Sequence, residues 1–165
     1  MKFLVTYYSE SKNTEKLAKA IYDGINETTK DIVPVSEADP EGYDVIFIGF
    51  PVIEHSVPGK VGRFIKSVPE STKLAFFSTH GSMRGGQLAI TAMYHALSLA
   101  VNHTILGTFA CRGQVRPAMI EALSKKLEHR TWAMEAQGAS GHPDDADLED
   151  GKTFAESVVT KARTM

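Results

Sequence analysis

"TYYSESKNTEKLAKAI", Thr6–Ile21, passes from an apolar run into a helix-like pattern through a gap filled with hydroxyl and amide side chains. Upstream, FLVTYY (Phe3–Tyr8) is nearly continuous in apolar residues, as a strand buried on both faces of a parallel sheet requires. Downstream, Leu17, Ile21 and Ile25 recur every four residues and share one helical face. The gap itself, Ser9-Glu10-Ser11-Lys12-Asn13-Thr14, joins a strand to a helix N-terminus.

The pattern then repeats along the chain. Tyr43–Phe50, Lys73–Thr79 and Thr104–Cys111 are further strand-like runs, with Lys2–Tyr8 as the first. Asp31–Val35 is weaker, and Pro34, lacking an N–H, predicts an edge position for it. Helical patterns lie between: Gly62–Lys66, then the small-residue stripe Ala89, Ala92, Met93, Ala96, Leu97 and Ala100. Pro117 suits the first turn of a helix carrying Met119, Ile120, Leu123 and Leu127. Phe154, Val158 and Ala162 define the last helix, with Asp144, Asp145 and Asp147 near its start, where the dipole favours acids. The order β-α-β-β-α-β-α-β-α-α predicts an α/β doubly wound sandwich on a five-stranded parallel sheet of order 2-1-3-4-5. Ligands of such sheets bind outside the carboxyl ends of the strands, so the loops after strands 1, 3, 4 and 5 matter most.

Composition narrows the function classes. The 165 residues, 42% of them hydrophobic, suit one domain over 1–165, and no repeat or linker divides it. A formal charge of −2 argues against broad attraction to nucleic acid. No apolar stretch approaches the roughly 20 residues of a bilayer span, so membrane insertion is not expected. The start, MKFLVTYYSESKN, turns polar too soon for a signal peptide. Cys111, the single cysteine, cannot form an internal disulfide and fits a reducing cytoplasm.

The first loop has two readings. Ser9, Ser11, Asn13 and Thr14 could surround an anion at the helix N-terminus, a phosphate dianion above all. Equally, they could form a serine-rich turn closed by a Thr or Asn N-cap. Competing nucleotide loops fail: neither G-x-x-x-x-G-K-[ST] nor G-x-G-x-x-G follows strand 1. A phosphoacceptor receiver would need acids ending strands 1 and 3, where Tyr7-Tyr8 and Gly49-Phe50 stand.

Ser9-Glu10-Ser11-Lys12-Asn13-Thr14 resembles the first loop of the flavodoxin family, hydroxyl-x-hydroxyl-x-Asn-Thr. The closing HPDDADLEDGKTFAESV is similar to the tail of a flavodoxin-like subgroup from bacteria and archaea. The resemblance implies a flavodoxin-like fold and an FMN cofactor whose 5′-phosphate sits among Ser9, Glu10, Ser11, Lys12, Asn13 and Thr14. It also implies an isoalloxazine ring between Pro51, Val52 and Ile53 after strand 3 and Thr79, His80, Gly81 and Ser82 after strand 4. Gly113 or Gln114, in the Cys-x-Gly segment after strand 5, would reach the flavin rim.

The pattern departs from the family in its ring contacts. The usual Trp and Tyr sandwich is missing; Val52 or Ile53 would serve as an aliphatic wall, with Phe50, His55 or His80 stacking or covering an edge. Trp132 lies too far along the chain to assign. Arg84 follows strand 4 with no acid in its loop. Aimed at a reduced flavin from about 6 Å, it would contribute roughly 2 to 3 kcal/mol, on the order of 100 mV upward. Aimed at solvent, it would contribute nothing of the kind.

Other candidates are weaker. Cys111 reads as a small buried apolar residue, with a redox role as the minor alternative. The six histidines show no tight metal spacing with cysteine or acids. His80 is the best-placed proton donor, beside a plain structural role. The acids of Asp144–Asp150 read as helix-start chemistry, with docking of a basic redox partner as the minor alternative.

These features predict an FMN-binding protein that moves electrons to or from a protein partner. The alternatives are a small FMN-dependent reductase of a quinone, tetrapyrrole or similar planar substrate, and a flavin-less relative serving as a binding subunit.

Overall fold

The computed structural model describes residues 1–165 and places five parallel strands in one sheet. These are β1 (Phe3–Tyr7), β2 (Lys30–Pro34), β3 (Val45–Pro51), β4 (Lys73–His80) and β5 (Ile105–Arg112), in the order β2-β1-β3-β4-β5. Period-two alternation then divides the apolar residues between two layers. Phe3, Val5, Val45, Phe47, Ala75 and Phe77 face helices α1 (Asn13–Gly24) and α6 (Asp145–Thr164). Leu4, Ile46, Ile48, Phe50, Leu74 and Phe76 face α2 (Gly59–Ser67) and α3 (Gln87–Leu99). Phe3, Phe47, Phe50, Phe76 and Phe77 are fully buried. Each contributes about 1.5 to 3 kcal/mol of transfer free energy, which makes the central strands the rigid part of the fold.

The fold class and strand order are those expected from the sequence. β2 is an edge strand, and Pro34 sits at its last position, opposite Tyr7. The stripe Ala89, Ala92 and Ala96 brings α3 onto the sheet. Asp144 caps α6 in a capping box: its carboxylate accepts from the Asp147 N–H at 2.9 Å, and Asp147 accepts from the Asp144 N–H at 3.0 Å.

Two expectations are corrected. β5 is not covered on both faces: the strand order makes it the other edge, so Thr108 is exposed and Phe109 and Ala110 only half-buried. The apolar residues after Pro117 do not form one helix. They divide into α4 (Pro117–Ser124), a 3-10 turn (Leu127–His129) and α5 (Arg130–Gln137), and Leu127 stays 78% exposed. No sheet lies beneath this excursion to reward a continuous helix.

Candidate functional site

The loop after β1 leaves its backbone donors unused. Tyr8 N–H bonds Gly49, and the next amide engaged is that of Glu15, which meets Ser9 Oγ at 3.3 Å. The N–H groups of Ser9, Glu10, Ser11, Lys12, Asn13 and Thr14 find no protein acceptor. Lys12 occupies the N-cap position with φ 68°, a left-handed turn that points successive amides to one side. The N-cap residue Lys12 makes no side-chain cap bond, so the alternative of a Thr or Asn N-cap is set aside. Amides without partners at a helix N-terminus form an anion site.

Side chains of the loop divide between the cleft and its support. Glu10, Ser11 and Asn13 line a cleft of about 200 Å³. Tyr8 Oη donates to Glu10 Oε1 at 2.6 Å. Asn13 Nδ2 donates to the Gln114 carbonyl at 2.9 Å, tying this loop to the one after β5. A Cβ on Gly113 would lie 2.9 Å from Asn13 Nδ2, so only glycine permits this approach. Thr14 is buried, its hydroxyl 2.9 Å from that of Thr79, and Ser9 and Lys12 do not line the cleft.

The opposite walls come from β3 and β4. Pro51, Val52, Ile53, Thr79, His80 and Gly81 all line the cleft, as does Gly113. Val52 is held to β4 by donating to the Thr79 carbonyl at 2.9 Å. The next residues turn tightly, with Glu54 and His55 both at positive φ, 47° and 64°, an uncommon conformation for non-glycine residues. His95 of α3 secures this turn: its Nδ1 accepts from Val57 N–H at 3.4 Å and lies 2.7 Å from Ser56 Oγ. The amides of Gly81 and Ser82 donate to no protein acceptor.

His80 is buried, and its Nδ1 donates to the Ser82 carbonyl at 3.0 Å. Burial first, then the Arg112 cation, hold the imidazole below its ordinary value, against the raising effect of the Ser82 carbonyl. The neutral ring has its only N–H engaged, and Nε2 is a buried lone pair without a partner. That arrangement fits the plain structural role rather than the proton donor. Ser82 is itself buried behind His80 rather than in the cleft. Cys111 is fully buried, and desolvation pushes its thiol up to about 12, so the small apolar role holds.

Two charged groups resolve what the sequence left open. Arg84 turns away from the cleft and pairs with Asp150 of α6 at 3.2 Å. Arg116 lines the cleft instead. His142, Asp144 and Asp147 bring one ligand atom each within 4.8 Å, which corrects the expectation of no tight spacing between histidine and acids: the three already stand at i, i+2 and i+5 in the chain. Their polar atoms are already engaged with one another: His142 Nδ1 lies 2.5 Å from Asp147 Oδ2, which also accepts from Asp144 N–H.

Trp132 of α5 also lines the cleft, together with Val115 and Met119. A Cβ on Gly81 would lie 2.5 Å from Val115 Cγ2 and 3.4 Å from Trp132 Cζ2. A second, larger cavity of about 390 Å³ lies between α4 and α5, shares Gln114 and Val115, and reaches neither β1 nor the unpartnered amides. The smaller cleft is therefore the one with the chemistry of a phosphate ester site.

The Flavodoxin domain model matches residues 4–156. The chain belongs to the flavodoxin family. The flavodoxin-like domain-containing protein BilS of Clostridioides difficile is 30% identical, over 98% of this chain and 98% of its own. A flavodoxin from the domain Archaea superposes with TM-score 0.64 at 16% identity, over 99% of both chains. A flavoprotein of Lactobacillus acidophilus, solved in complex with FMN, gives TM-score 0.53 at 22% identity, over 66% of this chain and 92% of its own.

FMN is the cofactor that flavodoxin membership implies, and the residues present fit it. Six free amides would offer neutral donors to a phosphate, Val52 and Ile53 an apolar wall, and the Gly81 amide a donor to a ring carbonyl. No helix is long and apolar enough to cross a membrane.

Proposed function

We propose that this protein binds FMN at the carboxyl ends of β1, β3, β4 and β5 and moves electrons to or from a protein partner. The row of unpartnered amides from Ser9 to Thr14 carries this reading. Bound FMN supplies the electron-transfer chemistry, and the chain supplies binding, orientation and electrostatics. Ser11 and Asn13 line the phosphate end, with Asn13 held in place by Gln114. Val52 and Ile53 bear on the ring, and Gly81 offers its amide to the polar edge.

The surface round the cleft supports transient docking of a partner. Ile53 and Met119 line the cleft and are 37% and 53% exposed, and Met83, after β4, is 57% exposed. Exposed apolar side chains beside a polar rim suit short-lived complexes. The inert single thiol accords with a reducing cytoplasm.

Titration of the purified chain with FMN, followed by flavin absorbance and emission, tests the binding. A saturable one-to-one complex is expected. NAD(P)H oxidation with a quinone in the absence of any partner tests the role: background turnover fits a carrier, and rapid turnover moves the assignment to a reductase. Absence of any flavin complex overturns both.

A further inference from the structure

The β3 and β4 loops bring no Phe, Tyr or Trp to the cleft, whose walls there are Pro51, Val52, Ile53, Thr79, His80 and Gly81. The aromatic residue comes from elsewhere in the fold. Trp132, the only tryptophan of the chain, reaches the cleft from α5, and Val52 and Ile53 line the same cleft. Its neighbour directly after β4 is Gly81, a cleft residue whose amide has no protein acceptor.

The excursion that carries Trp132 has little other reason to sit where it does. α4 buries no residue, and α5 buries only the small Ala133 and Ala136. Met119 of α4, Leu127 and Met134 remain 53%, 78% and 68% exposed. Its anchorage is at the cleft. Arg112, the last residue of β5, donates from Nη2 to the Glu135 carbonyl at 2.5 Å, where a cation also complements the carboxyl end of a helix. The same nitrogen lies 3.5 Å from the Gly81 carbonyl. Gly81 admits Val115, Trp132 and Ala136 close to its backbone, and a side chain there would push them away.

We propose that residues 117–137 form a cap on the cofactor site, carrying Trp132 against the ring of bound FMN. This rests on the FMN assignment above. The cap explains how a chain without Phe, Tyr or Trp in the β3 and β4 loops provides an aromatic face. It also explains why a pair of helices so poorly buried is tethered by Arg112 to the β4 loop. Trp132 is thus a cofactor-binding residue, and Arg112 positions it.

The test uses the full chain, FMN as the probe, and the single indole N–H resonance of Trp132. On saturation with FMN that resonance is expected to move, because ring-current effects act only at contact range. Trp132→Ala is expected to weaken FMN binding about tenfold, while Trp132→Phe, which keeps a ring, stays within about threefold of the parent. Backbone amides across 117–137 are expected to exchange more slowly when FMN is bound, and this protection to be lost in Trp132→Ala. An unmoved indole resonance in an FMN-saturated chain overturns the cap and leaves the FMN site standing. So does Trp132→Ala with parent affinity. Should the Ala variant fail to fold, the resonance in the unaltered chain decides alone. Failure of the unaltered chain to bind FMN at all overturns the cofactor assignment and the cap together.

Discussion

Asn13 and Gln114, separated by 101 residues, are joined by a 2.9 Å hydrogen bond from the Asn13 amide to the Gln114 carbonyl. That bond couples the loop after β1 to the loop after β5. Gln114 extends the link: its own N–H bonds the His142 carbonyl at 2.8 Å, and its Oε1 accepts from Gly141 N–H at 3.0 Å. Lys16 then closes the circuit by donating to the Pro143 carbonyl at 2.7 Å. The turn before α6 therefore braces the loop after β1 without lining the cleft itself.

Gly113→Ala is expected to displace the Asn13 side chain, since the new Cβ would fall 2.9 Å from Asn13 Nδ2. FMN affinity should fall about fivefold to tenfold, equivalent to roughly one hydrogen bond. Asn13→Ala should cost a similar factor. The double variant should be no worse than the more affected single one, because both lose the same contact. Strictly additive losses, measured by flavin titration, would contradict the coupling.

Thr14 and Thr79 share a buried hydroxyl pair at 2.9 Å. Thr14→Val or Thr79→Val strands the other hydroxyl and is expected to cost about 1 to 3 kcal/mol in denaturant unfolding. Replacing both should recover part of that loss, as no orphan then remains. A double variant less stable than either single one would count against the pair.

His80 is held neutral in the folded chain, its value lowered chiefly by burial. The unfolded chain takes up a proton as pH drops below about 6.5, while the folded chain does not until a lower pH. Stability from this group is complete above the unfolded value and declines as pH falls towards the lowered folded value. The slope reaches at most about 1.4 kcal/mol per pH unit. Unfolding of the parent and of His80→Gln between pH 5 and 8 isolates the effect: the parent should lose more stability on acidification. Parallel pH profiles would show that His80 titrates alike in both states.

Arg84 pairs with Asp150 away from the cleft, whereas Arg116 lines it. Arg84→Gln should leave the midpoint potential of bound FMN within about 20 mV. Arg116→Gln should lower it by about 40 mV, corresponding to roughly 1 kcal/mol for a solvent-screened cation near one added electron. The reverse ranking in a spectroelectrochemical titration would mean that Arg84 reorients when flavin binds.

The strands and the first loop were legible because local pattern alone specifies them. Five apolar runs interrupted by helical periodicity admit few sheet orders, and a donor-rich gap before α1 needs no distant partner to be recognised. Trp132 was not legible, since only the path from β5 through α4 to α5 decides that it returns to Gly81. The orientation of Arg84 was hidden for a similar reason, as its acid lies 66 residues away on α6. Leu127 continued a helical stripe in sequence, yet it falls in a 3-10 turn because the excursion packs mainly on itself.

The most direct measurement compares the affinity of the chain for FMN with its affinity for riboflavin, which shares the ring and lacks the phosphate. With six amides from Ser9 to Thr14 free to donate, FMN is expected to bind at least about a hundredfold more tightly, equivalent to two charge-assisted hydrogen bonds. Equal affinities would contradict the assignment of the first loop as a phosphate site.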